Sequence, residues 1–278
     1  MKLDYSNISG LPPGGKDFLE ALESSLEFRY IRSVLFFGST VTGGVSESSD
    51  IDFIIVLSDR APLSYSRQIR EDLIRMENDH LETTTTPSNR FERMVQQLTG
   101  MFKSGFVTRA EHIKAGEFDL IFNTSPLVYY IAPWRTVIMG VFDEATPVYG
   151  DIVSPDWNGV GHPLSYQFRE IFKSFIMTFV LSAFQIFYLL VSGRGAIYSQ
   201  ESYKWAIYNV AIHVQGDPHQ SIESALSAVP DVLGSHDRFK KDRSNPDSRV
   251  IRQLTLPFVI TYIHLWGLTV VFRSFFNE

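Results

Sequence analysis

Asp50 and Asp52 stand two residues apart at the head of an apolar run, DIDFIIVL, and the stretch before them, FFGSTVTGGVSESS, is rich in glycine, serine and threonine. A strand nucleus has no need of aspartates, so their type and spacing demand a chemical reason. In extended chain the period of two puts both carboxylates on one face and the apolar pair Ile51 and Phe53 on the other. Two hard oxygen ligands about 7 Å apart along a strand can share or bracket a divalent cation, and Mg²⁺ is the usual metal where carboxylates meet phosphates. Gly38 followed by Ser39, where a strand gives way to a helix, leaves backbone N–H groups for a phosphate and puts no side chain in its way. Ten residues separate Ser39 from Asp50, enough for a short helix and a return along a neighbouring strand. Loop and aspartates would then hold opposite ends of one nucleoside triphosphate.

Elements must position these groups. After the breaker LPPGG, helical spacing of Leu19, Leu22 and Leu26 predicts a helix over Phe18 to Arg29. Strands are expected at Tyr30 to Phe37 and Ile51 to Leu57, with the glycine and serine loop between them. An amphipathic helix is expected from Tyr65 to Asn78 to cover one sheet face. A threonine-rich strand at His80 to Pro87, a helix near Asn89 to Leu98 and a strand at Gly105 to Arg109 complete an α/β layer. A helical stretch is expected from Pro133 to Tyr149, and YGDIVSPDWNGVGHP reads as a boundary. From Leu164 onward the pattern is almost entirely helical, with GSHDRFKKDRSNPDS a charged loop. The expected fold is α+β: a small mixed-sheet domain over residues 1–150, then an all-α helical bundle over residues 151–278.

The order Gly38-Ser39, ten residues, Asp50-Ile51-Asp52 with apolar flanks resembles the signature of the nucleotidyltransferase superfamily. That superfamily includes DNA polymerase beta, the kanamycin and aminoglycoside-type enzymes and the small stand-alone archaeal members. The resemblance implies a metal-dependent transfer of a nucleotide from a nucleoside triphosphate, ATP among the candidates, to an acceptor hydroxyl, with release of pyrophosphate. It implies that Asp50 and Asp52 bind the catalytic Mg²⁺ ions, two of them, and that Gly38 and Ser39 hold the β- and γ-phosphates. The family pattern adds a third carboxylate on a later strand, and three positions compete for it. Glu82 in HLETT has the right distance from Asp52 and is preferred; Glu111 in TRAEHI and Asp119 in EFDLIF are the others. Lys204 in YKWAIYNV could reach the triphosphate as a lysine does in some members, or simply extend its stem along the surface.

Composition narrows the partners. A net charge of −6 supplies no global positive field for nucleic acid, although Arg238, Lys240, Lys241 and Arg243 form a local basic patch. The acceptor is a small molecule, an RNA end or a protein. The absence of cysteine excludes disulfides, thiolate metal sites and a cysteine nucleophile and suits a reducing interior. The start carries no apolar h-region, and a cytoplasmic location is expected. The seven histidines show no zinc spacing. Trp134, Trp157, Trp205 and Trp266 are scattered and form no stacking platform.

Phe172 to Val191 and Leu254 to Phe276 approach the length of a membrane span, yet each carries several polar residues. They are expected to be buried or partner-facing helices, open to self-association, with no membrane contact. The alternative to an enzyme is a non-catalytic nucleotide- or protein-binding module that keeps the fold, membrane-associated through these helices.

Overall fold

The computed structural model describes residues 2–43, 51–81, 105–156, 164–192, 196–216, 222–244 and 255–277. The chain divides into two compact units, residues 1–129 with 138–158, and residues 130–137 with 159–278.

The first unit runs α1 (Gly15–Ser25), a 3-10 turn (Phe28–Tyr30), β1 (Ile31–Phe36), α2 (Ser39–Thr42), β2 (Phe53–Leu57), α3 (Leu63–His80), β3 (Gly105–Arg109), α4 (Ala110–Ala115) and α5 (Phe118–Ile121). Two further helices, α6 (Pro126–Ile131) and α7 (Trp134–Glu144), contain residues of both units, and β4 (Thr146–Tyr149) returns to the sheet. Among the described residues the sheet has the order β3-β2-β1-β4. β1 is antiparallel to β2 and to β4, and β2 is parallel to β3. The pairing of Phe36 with Phe53 and Val34 with Ile55 joins the two most apolar runs at the centre, where both faces are covered and neither strand needs a polar side. Phe18, Leu22, Ile69 and Leu73 from α1 and α3 pack on the face that carries Phe36, Phe53 and Ile55. Phe37 stacks on Phe106, and Phe106 meets Phe122 edge-on, which seals the other face.

The edges are closed by devices that no periodicity announces. Asn123 takes a positive φ of 51°; its Oδ1 accepts from the Val107 N–H at 3.1 Å and its Nδ2 donates to the Val107 carbonyl at 3.0 Å. One side chain thus serves as a partner strand for β3. On the other edge Asp4 N–H donates to the Val148 carbonyl at 2.8 Å.

Several expected elements shift. The opening helix starts at Gly15 and ends at Ser25, because Gly14, at φ 72°, turns the chain into it directly after the prolines. The expected helix through Tyr149 stops at Glu144, and residues 146–149 form β4 instead. Pro147 is tolerated there because β4 is an edge strand. His80 ends α3 and belongs to no strand; the rest of the expected strand to Pro87 and the helix near Asn89 to Leu98 lie outside the described residues. The Gly105 to Arg109 strand forms over those residues.

The second unit contains α8 (Leu164–Ser192), α9 (Ala196–Gln215), α10 (Ile222–Ala228), α11 (Ser235–Ser244) and α12 (Leu256–Asn277). The polar residues that interrupt the two long apolar segments sit at helix contacts. Ser202 Oγ donates to the Thr178 carbonyl at 2.7 Å, joining α9 to α8. Ser174 Oγ meets His264 Nε2 at 3.0 Å, joining α8 to α12. A side chain at Gly267 would collide with Val210 at 2.5 Å, so α12 lies close against α9. Burial pushes the His264 imidazole down to about 4, so it is neutral at pH 7; Nδ1 donates to the Ile260 carbonyl at 2.7 Å and Nε2 accepts from Ser174. Among the described residues α12 offers the one helix, over Leu256–Ser274, long and apolar enough to cross a membrane. The charged segment from Gly234, expected as a loop, folds as α11 over Ser235–Ser244. Asp231 accepts from the His236 N–H at 3.0 Å at its start, and Phe239 packs 5.2 Å from the Tyr203 ring, which supplies the anchor that its charge conceals.

Candidate active site

The candidate chemistry of the first unit gathers where β1 ends and β2 begins. Beyond the last strand pair, the Phe37 N–H donates to the Asp52 carbonyl at 3.1 Å, so the hairpin closes with Asp52 opposite Phe37. The next residue, Gly38, takes φ 69°, ψ −148°, a backbone region that is essentially confined to glycine. That turn lays Gly38 against the Asp52 side chain: a Cβ on Gly38 would stand 2.7 Å from Asp52 Oδ2. Glycine is therefore required twice at this position, for its conformation and for the close approach of a carboxylate.

α2 follows as a single turn. The Val41 and Thr42 N–H groups both donate to the Gly38 carbonyl, at 3.1 and 3.0 Å. The N–H groups of Ser39 and Thr40 at its start take no backbone partner among the described residues. The loop is held from inside and outside. Thr40 Oγ1 donates to the Phe37 carbonyl at 3.2 Å and Thr42 Oγ1 to the Gly38 carbonyl at 3.1 Å. From the N-terminal segment, Ser9 N–H donates to the Thr40 carbonyl at 2.9 Å and Ser9 Oγ to the Val41 carbonyl at 2.6 Å. The resulting loop presents backbone donors, no side chain at Gly38 and the half-buried Asp52 beside it. Chemically it suits an anion with a cation beside it.

Gly38, Ser39 and Asp52 are thus brought together. Asp50 and Glu82 lie outside the described residues. Glu111 is exposed on α4, with His112 Nε2 4.0 Å from its carboxylate. Asp119 sits in the single turn of α5. Among the described residues no three histidine, aspartate or glutamate side chains converge as a metal cage; Asp50, the second acid of the pair, is not one of those residues. Lys204 belongs to the second unit; its Nζ lies 3.1 Å from the Glu201 carboxylate and 5.8 Å from the centre of the Trp205 ring. Ser9, Thr40 and Thr42 were not marked by the sequence reading. The hydroxyl-rich composition around Gly38 hinted at Thr40 and Thr42 alone.

Residues 17–121 match a family model described as a nucleotidyltransferase domain. This stretch of the chain is a nucleotidyltransferase domain. It contains β1 to β3, the Gly38 turn and Asp52, as well as Asp50, Glu82, Glu111 and Asp119, whereas Lys204 falls beyond it. The chain is accordingly an enzyme of the nucleotidyltransferase class, dependent on a nucleoside triphosphate. Among solved structures, the chain is similar to the spectinomycin adenyltransferase AAD(9) from Enterococcus faecialis, determined with ATP and spectinomycin. The two are 13% identical and superimpose with a TM-score of 0.52, over 91% of this chain and 99% of that one. At that identity the likeness is one of fold: a mixed sheet followed by helices. No curated protein matches the sequence significantly.

Proposed function

We propose that this nucleotidyltransferase domain carries a nucleotidyl group from ATP to a hydroxyl of a small-molecule acceptor, with Mg²⁺ held by Asp50 and Asp52. The observation that carries the proposal is the contact of Gly38 with Asp52. A glycine-only backbone turn sets an acidic oxygen beside a loop with backbone donors, as a metal-bound triphosphate requires. The ATP and spectinomycin present in the structurally similar enzyme support the choice of donor and the small size of the acceptor.

In this proposal the Gly38 and Ser39 backbone binds the β- and γ-phosphates, and the missing Cβ at Gly38 leaves room for the Asp52 carboxylate beside the loop. Asp52 and Asp50 hold the divalent cation. When bound, Mg²⁺ supplies charge neutralisation on the triphosphate and at the entering and leaving oxygens. An acceptor oxygen forms a bond to the α-phosphorus as the bond from that phosphorus to the β-bridging oxygen breaks. Pyrophosphate leaves with the electron pair, and the hydroxyl proton passes to the third carboxylate, for which Glu82 is the candidate. Ser9, Thr40 and Thr42 keep the loop in shape through the hydrogen bonds already described.

Titration calorimetry of the four ribonucleoside triphosphates, with and without Mg²⁺, tests the reading on the full chain. ATP is expected to bind only with the metal, and Asp50→Asn and Asp52→Asn each to weaken binding by about tenfold or more. Asp119→Asn leaves it unchanged. Metal-independent binding, or full binding by both aspartate variants, overturns the assignment.

A further inference from the structure

The second unit exposes a continuous apolar surface. On α12 the exposed residues Phe258, Tyr262, Leu265, Thr269, Phe272 and Phe276 recur at steps of four and three, the spacing of a coiled-coil seam. Thr269 Oγ1 donates to the Leu265 carbonyl at 2.8 Å, which leaves its methyl to face outward. The opposite side of α12 is buried, with Ile260 and Ile263 fully covered, so this stripe is not the core side of the helix. On α8, Phe172, Phe179 and Val180 are also exposed. They flank Phe168 and Phe175, whose rings touch Phe272 and His264 of α12, so the two exposed sets border one groove.

We infer that this surface is the interface of a homodimer, in which two α12 helices pack antiparallel across a two-fold axis near Leu265 and Thr269. Size is the first argument. With about 150–250 Å² per aromatic side chain, fractional exposures of 77% at Phe258, 67% at Phe276 and 56% at Phe172 lead, over the whole patch, to roughly 900 Å². That exceeds the few hundred Å² of the largest patch on a typical monomer and equals what each partner of a standard interface buries, about 800 Å². Pattern is the second: a 3.5-residue seam is self-complementary when two copies meet about a two-fold axis. Charge is the third. No Asp, Glu, Lys or Arg occurs between Leu256 and Phe272, so the central part of the seam brings no ion into the interface.

The absence of cysteine permits a direct test on the full chain. Thr269→Cys is expected to give a covalent dimer on mild oxidation, and Ser64→Cys, exposed on α3, is expected to give little. In sedimentation without detergent at about 10 µM, the unmodified chain should run at twice its mass. Leu265→Glu should shift it to monomer, weakening the dimer by about a hundredfold, while Ile74→Glu, an exposed apolar site on α3, leaves the dimer intact. Leu265 is itself 60% exposed, so near-ultraviolet circular dichroism should show the variant folded; if it is not, the Thr269→Cys result decides. A monomeric wild type, or equal crosslinking at positions 64 and 269, overturns the inference. So does flotation of the wild type with phosphatidylglycerol vesicles that Leu265→Glu abolishes, which would make the face a lipid surface.

Discussion

Replacing Gly38 by alanine separates two consequences of one turn. At φ 69°, ψ −148° an L-residue costs about 1–3 kcal/mol. The added Cβ would also sit 2.7 Å from Asp52 Oδ2, closer than any unstrained contact. That oxygen is at the end of a rotatable side chain, so the overlap is relieved by turning the Asp52 carboxylate away from the loop. The stability cost should therefore be the backbone term, about 2 kcal/mol, while the displaced carboxylate appears in binding. Gly43→Ala is the matched control. Gly43 has φ 85°, ψ 8°, the left-handed region, where alanine costs about 1–2 kcal/mol. Among the described residues its Cβ would meet Ser9 Cβ alone, at 3.7 Å, an ordinary contact. Urea unfolding should show both variants destabilised by similar amounts, within about 1 kcal/mol of each other. Mg²⁺-dependent ATP binding should fall by about tenfold or more for Gly38→Ala and by less than about threefold for Gly43→Ala, a difference of at least about 0.7 kcal/mol. Equal binding by the two variants would refute the claim that Gly38 exists to admit the Asp52 carboxylate.

Two buried ionisable groups in the second unit set opposite pH limits. His264, lowered from 6.5 to about 4 by burial, is neutral when folded and takes up a proton on unfolding. Its contribution is fully present above pH 6.5 and is lost as pH falls toward 4, by about 3 kcal/mol in all. His264→Gln, measured by urea unfolding between pH 4 and 7, should remove that part of the pH dependence. The Glu170 carboxyl is raised chiefly by burial, against the opposing pull of Lys173 and Arg169 and of the Thr136 and Arg135 amides. Its folded state favours the protonated form, so stability declines as pH rises from 4.5 through the raised value. Glu170→Gln should raise the melting temperature at pH 8 more than at pH 4; an equal change at both would refute this. Asn123→Ala removes the two hydrogen bonds to Val107 and leaves the Val107 N–H unpaired at a sheet edge. A loss of about 2 kcal/mol is expected by urea unfolding, with Asn123→Gly no better despite its freedom at φ 51°.

What could be read in the sequence was what the chain encodes over short distances. β1 and β2 were legible because continuous apolar runs bracket a glycine and serine loop, and α3 because Ile69, Leu73 and Met76 repeat at helical spacing and are buried. β4 was not, since four residues with Pro147 carry too little pattern to compete with the preceding helix. α11 was hidden by its charge: Phe239 is its buried apolar anchor, and the Asp231 that bonds to His236 lies four residues before the first helical position. His80 showed the reverse error, for it was taken as the first residue of a strand and α3 keeps it in its last turn.

The candidate site divides along the same line. Its centre is the closure of one hairpin: once Phe37 pairs with Asp52, the residue after one and the side chain of the other must meet. Spacing alone assigned Gly38 and Asp52 to one site, at opposite ends of a triphosphate, and did not foretell that they touch. The ψ of Gly38 could not be read, because glycine permits many turns and only the strand register selects this one. Nor could Ser9, which reaches the loop from a distant part of the chain and leaves no periodic trace. The same holds for Ser174 and His264, which read as flaws in two apolar segments and prove to be partners at 3.0 Å. A polar residue inside an apolar run is uninformative by itself; its meaning is fixed only when packing supplies the other half of the hydrogen bond.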